Sequence, residues 1–248
     1  MHRFFVEANQ IDTEQNQVSI IGNDVNHIKN VLRMTEGEKI LISCGDEQEY
    51  TCAISELSSE EVIASIIEVT ESGRELPSKI YLFQALPKGD KMELIIQKTV
   101  ELGVFEIIPV ETKNCVVKLD DKKKSAKIKR WQAIAESAAK QSKRMIIPEI
   151  HDVMRLSDAI TYAKELDVCV IPYELAENMQ HTRELLGQIQ PGQSIGIFIG
   201  PEGGFEEEEV QTALKNQIEP ITLGKRILRT ETAGLAVISI LMYLLEDR

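Results

Sequence analysis

Over the first 70 residues apolar and polar positions tend to alternate, the period of a half-buried strand. Residues 3–6, 17–21, 39–44, 50–57 and 62–69 are β-branched or alternating runs, and Gly22, Gly37 and the pair Gly45-Asp46 punctuate them. One stretch breaks the rhythm. Val25, Ile28, Val31 and Leu32 recur at helical spacing behind Asn23, a suitable N-cap, so a short helix is predicted there. Short strands with one helix describe a small β-barrel. Residues 70–78 (TESGRELPS) combine Gly, Pro and charges without a period, and read as a linker.

From Lys79 strand runs alternate with helical ones. Residues 80–85, 105–110, 145–150, 168–172, 194–199 and 220–223 read as strands. Between them Met92, Ile95, Ile96, Thr99 and Val100 share one helical face ahead of Gly103, and further helices are predicted over 128–143, 156–166, 182–189, 206–215 and 232–245. Such alternation predicts an α/β fold, a mainly parallel sheet with helices on both faces. The expected domains are therefore 1–72 and 73–248.

Composition narrows the function classes. The 248 residues are 43% apolar, enough for a well-buried core, and no apolar run is long enough to span a bilayer. The N-terminal MHRFFVEANQ lacks the apolar stretch of a secretory signal. With Cys44, Cys52, Cys115 and Cys169 widely spaced, it predicts reduced cytoplasmic thiols without disulfides. His2, His27, His151 and His181 are scattered without ligand spacing, so no metal is expected. The net charge of −12 is unevenly spread: residues 1–75 carry 5 basic and 15 acidic groups, residues 113–144 carry 11 basic and 3 acidic. That basic segment can meet a polyanion; on charge alone a solvated basic helix face accounts for it equally well.

Two segments carry candidate chemistry. In residues 195–209 (IGIFIGPEGGFEEEE) an apolar strand runs into Gly200-Pro201-Glu202-Gly203-Gly204 and then an acidic helix start. Ligands of open α/β sheets collect at strand carboxyl ends. The glycine spacing matches neither the dinucleotide fingerprint nor the Walker loop, and Glu206 to Glu209 would repel a phosphate at that helix end. A neutral or cationic ligand suits the loop; a tight turn before an ordinary capped helix explains it as well. The second segment, residues 223–234 (LGKRILRTETAG), also links a strand to a helix. Thr230 or Thr232 can cap that helix with Glu231 in its first turn, but a cation there opposes the helix dipole, which singles out Arg229.

IGPEGGF (199–205) and LGKRILRTETA (223–233) resemble the signature segments of the ribosomal RNA small subunit methyltransferase E family, within the SPOUT superfamily of knotted methyltransferases. The likeness extends to HIKNVLRM (27–34), KGDKMELIIQKTVELG (88–103), Glu136, Gln141 and Arg144, and so covers nearly the whole chain. The resemblance implies a PUA-like β-barrel that helps hold RNA and a C-terminal α/β domain tied in a trefoil knot. It also implies S-adenosylmethionine as cofactor, a cytoplasmic homodimer, and methylation of N3 of one uridine in the decoding region of 16S rRNA within the assembled 30S subunit.

By similarity the cofactor would lie among Pro172, Tyr173 and Glu174, among Ile199, Gly200, Glu202, Gly203 and Gly204, and among Leu223, Gly224, Ile227, Leu228, Thr232 and Ala233. Arg229 would stabilise charge developing on the uracil, with Glu231 or Glu202 taking the N3 proton or positioning a neighbour. RNA contacts are expected from Arg3, His27, Arg33, Lys88, Lys91 and Arg144. Two other readings stay open: a related enzyme methylating another RNA atom such as a ribose 2′-oxygen, and a non-catalytic RNA-binding assembly factor.

Overall fold

The alternating first third folds into a six-stranded sheet. In the computed structural model, which describes residues 1–45, 48–71, 73–173, 176 and 178–246, contacts divide the chain into two units. The first comprises Met1–Glu75 with Lys143–Ile147, the second Leu76–Ser142 with Pro148–Arg248. The first unit holds β1 (His2–Phe5), β2 (Ile11–Asp12), β3 (Gln17–Ile21), β4 (Lys39–Ser43), β5 (Gln48–Leu57) and β6 (Glu61–Glu71), in the order β1-β4-β5-β6-β3-β2. Only the β1–β4 pair is parallel. Val18 and Ile20, Ile40 and Ile42, Tyr50, Cys52 and Ile54, and Val62 and Ala64 supply every second residue to one core. Register shifts at Thr51/Cys52 and Ile54/Glu56 interrupt the longest pair and curl it.

The predicted helix is present but differs in detail. α1 (Asn23–Asn26) starts behind Gly22 as N-cap rather than Asn23, and passes into a π turn over His27–Val31. There the Leu32 N–H donates to the His27 carbonyl at 2.9 Å. The wider turn breaks the 3.6-residue phase, so Val25 and Ile28 are buried while Val31 is 61% exposed. Described residues of the unpatterned segment are held as well: Thr70 and Glu71 pair within β6, and Glu75 accepts from the Met145 N–H at 2.7 Å. Because Glu75 holds the chain there, the strand expected over 145–150 shrinks to β9 (Glu149–Ile150).

The second unit turns the strand–helix alternation into a wholly parallel sheet. β7 (Lys79–Ala85), β8 (Glu106–Glu111), β10 (Met154–Arg155), β11 (Val168–Pro172), β12 (Ser194–Ile199) and β13 (Ile218–Ile221) lie in the order β10-β8-β7-β12-β11-β13, with β9 beside β8. The helices are α2 (Lys91–Glu101), α3 (Asp121–Ser142), α4 (Leu156–Ala163), α5 (Met179–Gln188), α6 (Glu207–Lys215) and α7 (Thr230–Leu245). Phe83 and Phe198 stack at 4.3 Å and join Ala159, Ala163 and Ala213 from α4 and α6 on one face. Leu82, Gln84 and Ile199 lie beside Gly234 of α7 on the other. Trp131 is buried, as its apolar helix side implied. No disulfide joins the four cysteines, and among the described residues no helix is long and apolar enough to cross a membrane.

Two glycines give opposite expectations. A Cβ on Gly196 would sit 2.7 Å from the Cys169 Sγ and 3.0 Å from Leu166, so Gly196→Ala should cost about 1–3 kcal/mol. A Cβ on Gly234 meets nothing closer than 3.5 Å, so Gly234→Ala should raise stability by about 0.5–1 kcal/mol through helix propensity. Equilibrium denaturation of both variants checks the pair. Equal losses would contradict the packing described.

Candidate active site at the carboxyl edge of the parallel sheet

Because every strand of the second sheet is parallel, β7, β11, β12 and β13 all release their following segments at one edge. Ile199 ends β12 opposite Gln84 of β7, and Pro172 ends β11 opposite Ile221 of β13. The segments expected to form a site thus start from neighbouring strands. Tyr173 continues the last pairing, its N–H donating to the Ile221 carbonyl at 3.0 Å. Glu174 lies outside the described residues.

The 200–204 loop is fixed from several sides. Phe205 packs over Gly200, where a Cβ would come within 3.1 Å of its ring. Gly204 takes φ 69°, a left-handed conformation suited to glycine, and its N–H closes the turn onto the Pro201 carbonyl at 2.9 Å. Asn114 Nδ2 donates to the carbonyls of Gly203 and Gly204, each at 3.2 Å. The acidic helix start is partly spent on capping: the buried Glu209 carboxylate accepts from the N–H groups of Glu206 (2.9 Å) and Lys113 (2.8 Å).

The second loop corrects the capping expectation. The N-cap of α7 is Arg229, whose carbonyl accepts from the N–H groups of Thr232 (2.8 Å) and Ala233 (2.9 Å). Thr230 is instead buried, its hydroxyl donating to the Gly200 carbonyl at 2.6 Å and accepting from Gln84 Nε2 at 2.9 Å. Sequence reasoning missed Gln84, a fully buried amide in a central strand. The only local signal was a polar residue inside an apolar run. Gly224 takes φ 106°, and Leu223 and Leu228 are half-buried. Ile227 is 84% exposed, and among the described residues no main-chain hydrogen bond closes 225–228.

Charge completes the arrangement. Lys91 Nζ lies 2.9 Å from Glu202 Oε1 and 3.3 Å from Glu231 Oε2, and the Lys88 N–H also donates to Glu202 at 3.0 Å. Hydrogen bonding to Glu202 raises the Lys91 pKa. Burial alone would raise Glu202, but the bonds from Lys91 and the main chain outweigh it and hold it below the usual carboxylate range. Glu231 is lowered as well, first by its own N–H at the helix head and then, against burial, by Lys91. The Arg229 side chain is 81% exposed, 4.0 Å from Glu231. The structure therefore brings Glu202, Arg229, Glu231 and Lys91 together.

The expected RNA contacts divide. His27 and Arg33 are exposed, as is Lys88, while Lys91 is engaged by the two glutamates. Arg3 and Arg144 are corrections. Arg3 is buried with its terminal nitrogens on Ser43 and Glu49, and Arg144 is buried against Glu75, with Nε 3.0 Å from Oε2, so neither offers its charge to a phosphate. In the basic segment Lys113, Lys123, Lys124, Arg130 and Lys140 are paired with carboxylates.

The scattered histidines hid one cluster. Ligand atoms of Glu106, Glu149 and His151 lie within 4.8 Å of one another, at the amino end of β8 and so opposite the loops above. Glu106 is already occupied by His151 Nε2 (2.8 Å) and by the Tyr162 hydroxyl (2.9 Å). The bond to Glu106 raises His151 against the opposing effect of burial. For Glu106, burial pushes upward but the bonds from His151 and Tyr162 win and lower it. The carboxylate's contribution to stability is lost as pH falls through its lowered pKa, and the imidazolium's as pH rises through its raised one. Glu106→Gln should therefore be most destabilising between the ordinary values of 4.5 and 6.5, with the deficit shrinking at higher pH. Denaturation across pH 4–9 would contradict the pairing if the deficit were flat.

Comparison with known proteins agrees with this geometry. Residues 74–242 match the family described as RNA methyltransferase domain, and residues 20–67 the RNA methyltransferase PUA domain. The chain is 40% identical to the ribosomal RNA small subunit methyltransferase E of Bacillus subtilis, over 98% of this chain and 96% of that one. Its structure is similar to that of the Neisseria gonorrhoeae protein of the same name bound to S-adenosylmethionine (33% identity, TM-score 0.85, covering 100% of this chain and 99% of that one). It is also similar to a Legionella pneumophila protein in complex with the same cofactor (32% identity, TM-score 0.83, covering 97% and 96%). The chain belongs to the ribosomal RNA small subunit methyltransferase E family.

Proposed function

We propose that this chain is an S-adenosylmethionine-dependent methyltransferase acting on N3 of one uridine in the decoding region of 16S rRNA. Its substrate in this reading is the assembled 30S subunit, its working form a cytoplasmic homodimer. Residues 73–248 hold the cofactor in a trefoil-knotted domain, and residues 1–72 help hold RNA. The observation that carries the reading is the junction of the 200–204 and 223–233 loops, made by the Thr230–Gly200 hydrogen bond and by Lys91 between Glu202 and Glu231. The cofactor-bound relatives and the family match support it.

The residues present fit the cofactor. Acidic groups and glycines without a phosphate cradle suit a cationic ligand. The main chain of 225–228 and the exposed Ile227 offer polar edges and an apolar surface to a flat adenine. Ile199, Gly200, Gly203, Gly204, Leu223, Gly224, Leu228, Thr232 and Ala233 line the same edge, with Pro172 and Tyr173 beside it. When bound, S-adenosylmethionine supplies a methyl group on a positively charged sulfur.

N3 of uracil is a weakly acidic imide, so its proton must leave before or as the new bond forms. Arg229, at the helix head and 81% exposed, is placed to stabilise negative charge on O2 or O4. Glu231, lowered first by its own N–H and then by Lys91, and Glu202, lowered by Lys91 and the main chain, position Lys91 and the two segments, and in this reading one of the two carboxylates takes the N3 proton. Lys88, His27 and Arg33 remain as RNA contacts. Exposed Ile240 and Tyr243 on α7 suit a second copy.

Small subunits from cells lacking this gene, incubated with the protein and S-adenosylmethionine, should show a new cofactor-dependent reverse-transcription stop at one uridine, because a methyl on N3 blocks the pairing edge. Absence of a stop on competent subunits overturns the N3 assignment. Arg229→Ala should lower kcat by about 10²-fold or more. A change confined to the KM of the RNA would remove Arg229 from the chemical step.

A further inference from the structure

We infer that Gln84 is a positioning residue, setting the Thr230 hydroxyl so that the 200–204 loop and the head of α7 hold one shape for the cofactor. The inference rests on the cofactor reading above. Gln84 is fully buried in β7, a central strand whose neighbouring residues Leu82, Phe83 and Ala85 are all apolar and buried. An amide there is costly to desolvate. It is not fully repaid, since its Oε1 is among the buried polar atoms without a hydrogen-bond partner.

Its Nε2 has a directed task. It donates to the Ala85 carbonyl at 3.0 Å and to Thr230 Oγ1 at 2.9 Å, 146 positions away. The Thr230 hydroxyl has one proton, and the Gly200 carbonyl, 2.6 Å away, is an acceptor only. The relay therefore has a single sense: amide to hydroxyl to carbonyl. It fixes the hydroxyl rotor and joins the first residue of α7 to the first residue of the 200–204 loop. Its loss should loosen the loop without unfolding the sheet, because an apolar side chain of similar length suits the surrounding core.

Gln84→Met, Thr230→Val and Thr230→Ser in the full chain test this with three readouts: melting temperature, hydrogen exchange of the 200–204 amides without ligand, and S-adenosylmethionine affinity by calorimetry. Gln84→Met should keep or raise Tm, speed exchange in the loop, and weaken binding about tenfold. Thr230→Val should weaken binding at least as much, Thr230→Ser should bind within about twofold of wild type, and the Gln84→Met/Thr230→Val pair should be no worse than Thr230→Val alone. A folded Gln84→Met protein with wild-type exchange and affinity overturns the role. Should Gln84→Met fail to fold, equal affinity of the Thr230→Val and Thr230→Ser proteins overturns it instead. Folded wild-type protein that does not bind S-adenosylmethionine defeats the cofactor reading, while the ligand-free exchange still decides whether Gln84 orders the loop.

Discussion

The site depends on the parallel register of β12 between β7 and β11. That register puts Ile199 opposite Gln84, and so places the start of the 200–204 loop where the head of α7 can reach it. A parallel sheet offers all its strand ends on one edge, but it does not decide which loops touch. Here the decision is made by a few polar groups inside an apolar frame: a buried amide, a buried threonine and one carbonyl. Around them Phe83 on Phe198 and the close approach at Gly196 keep the strands from shifting, so the polar contacts are made by a rigid support.

Electrostatics shapes the same edge in a second layer. Lys91 stands between Glu202 of the 200–204 loop and Glu231 in the first turn of α7, which ties the two together, and with main-chain N–H groups it holds both carboxylates below the usual range. The same edge also carries exposed cations, Lys225 and Arg226 in the second loop and Arg229 at the helix head. Arg229 opposes the helix dipole in the free protein, and in the proposed reaction it meets negative charge that arises only during methyl transfer. This division suits methyl transfer to an imide nitrogen, where the ligand is positive and the acceptor becomes negative.

Much of the architecture was legible in the sequence because it rests on local periodicity. The change from period two to alternating strands and helices near residue 79 predicted both sheets, and the glycine-bearing loops lie at strand ends as their sequence implied. Phase and pairing were harder. Val31 follows helical spacing, yet a π turn puts it in solvent. Arg3 and Arg144 look like any surface cation until Glu49 and Glu75, 46 and 69 positions away, are seen to bury them. Gln84 and Thr230, or Glu106 and His151, are likewise joined only by the fold. Loop composition is a local property, whereas the partner of a charge is not.

In the proposed function the 199–205 and 222–229 segments form one S-adenosylmethionine site at the carboxyl edge of the sheet. Hydrogen exchange of the wild-type chain with and without S-adenosylmethionine tests it most directly. Added protection should concentrate in those two segments and the first turn of α7, with the amino end of β8 unchanged. Protection that spares both segments, or that falls on the opposite edge around Glu106 and His151, would contradict it.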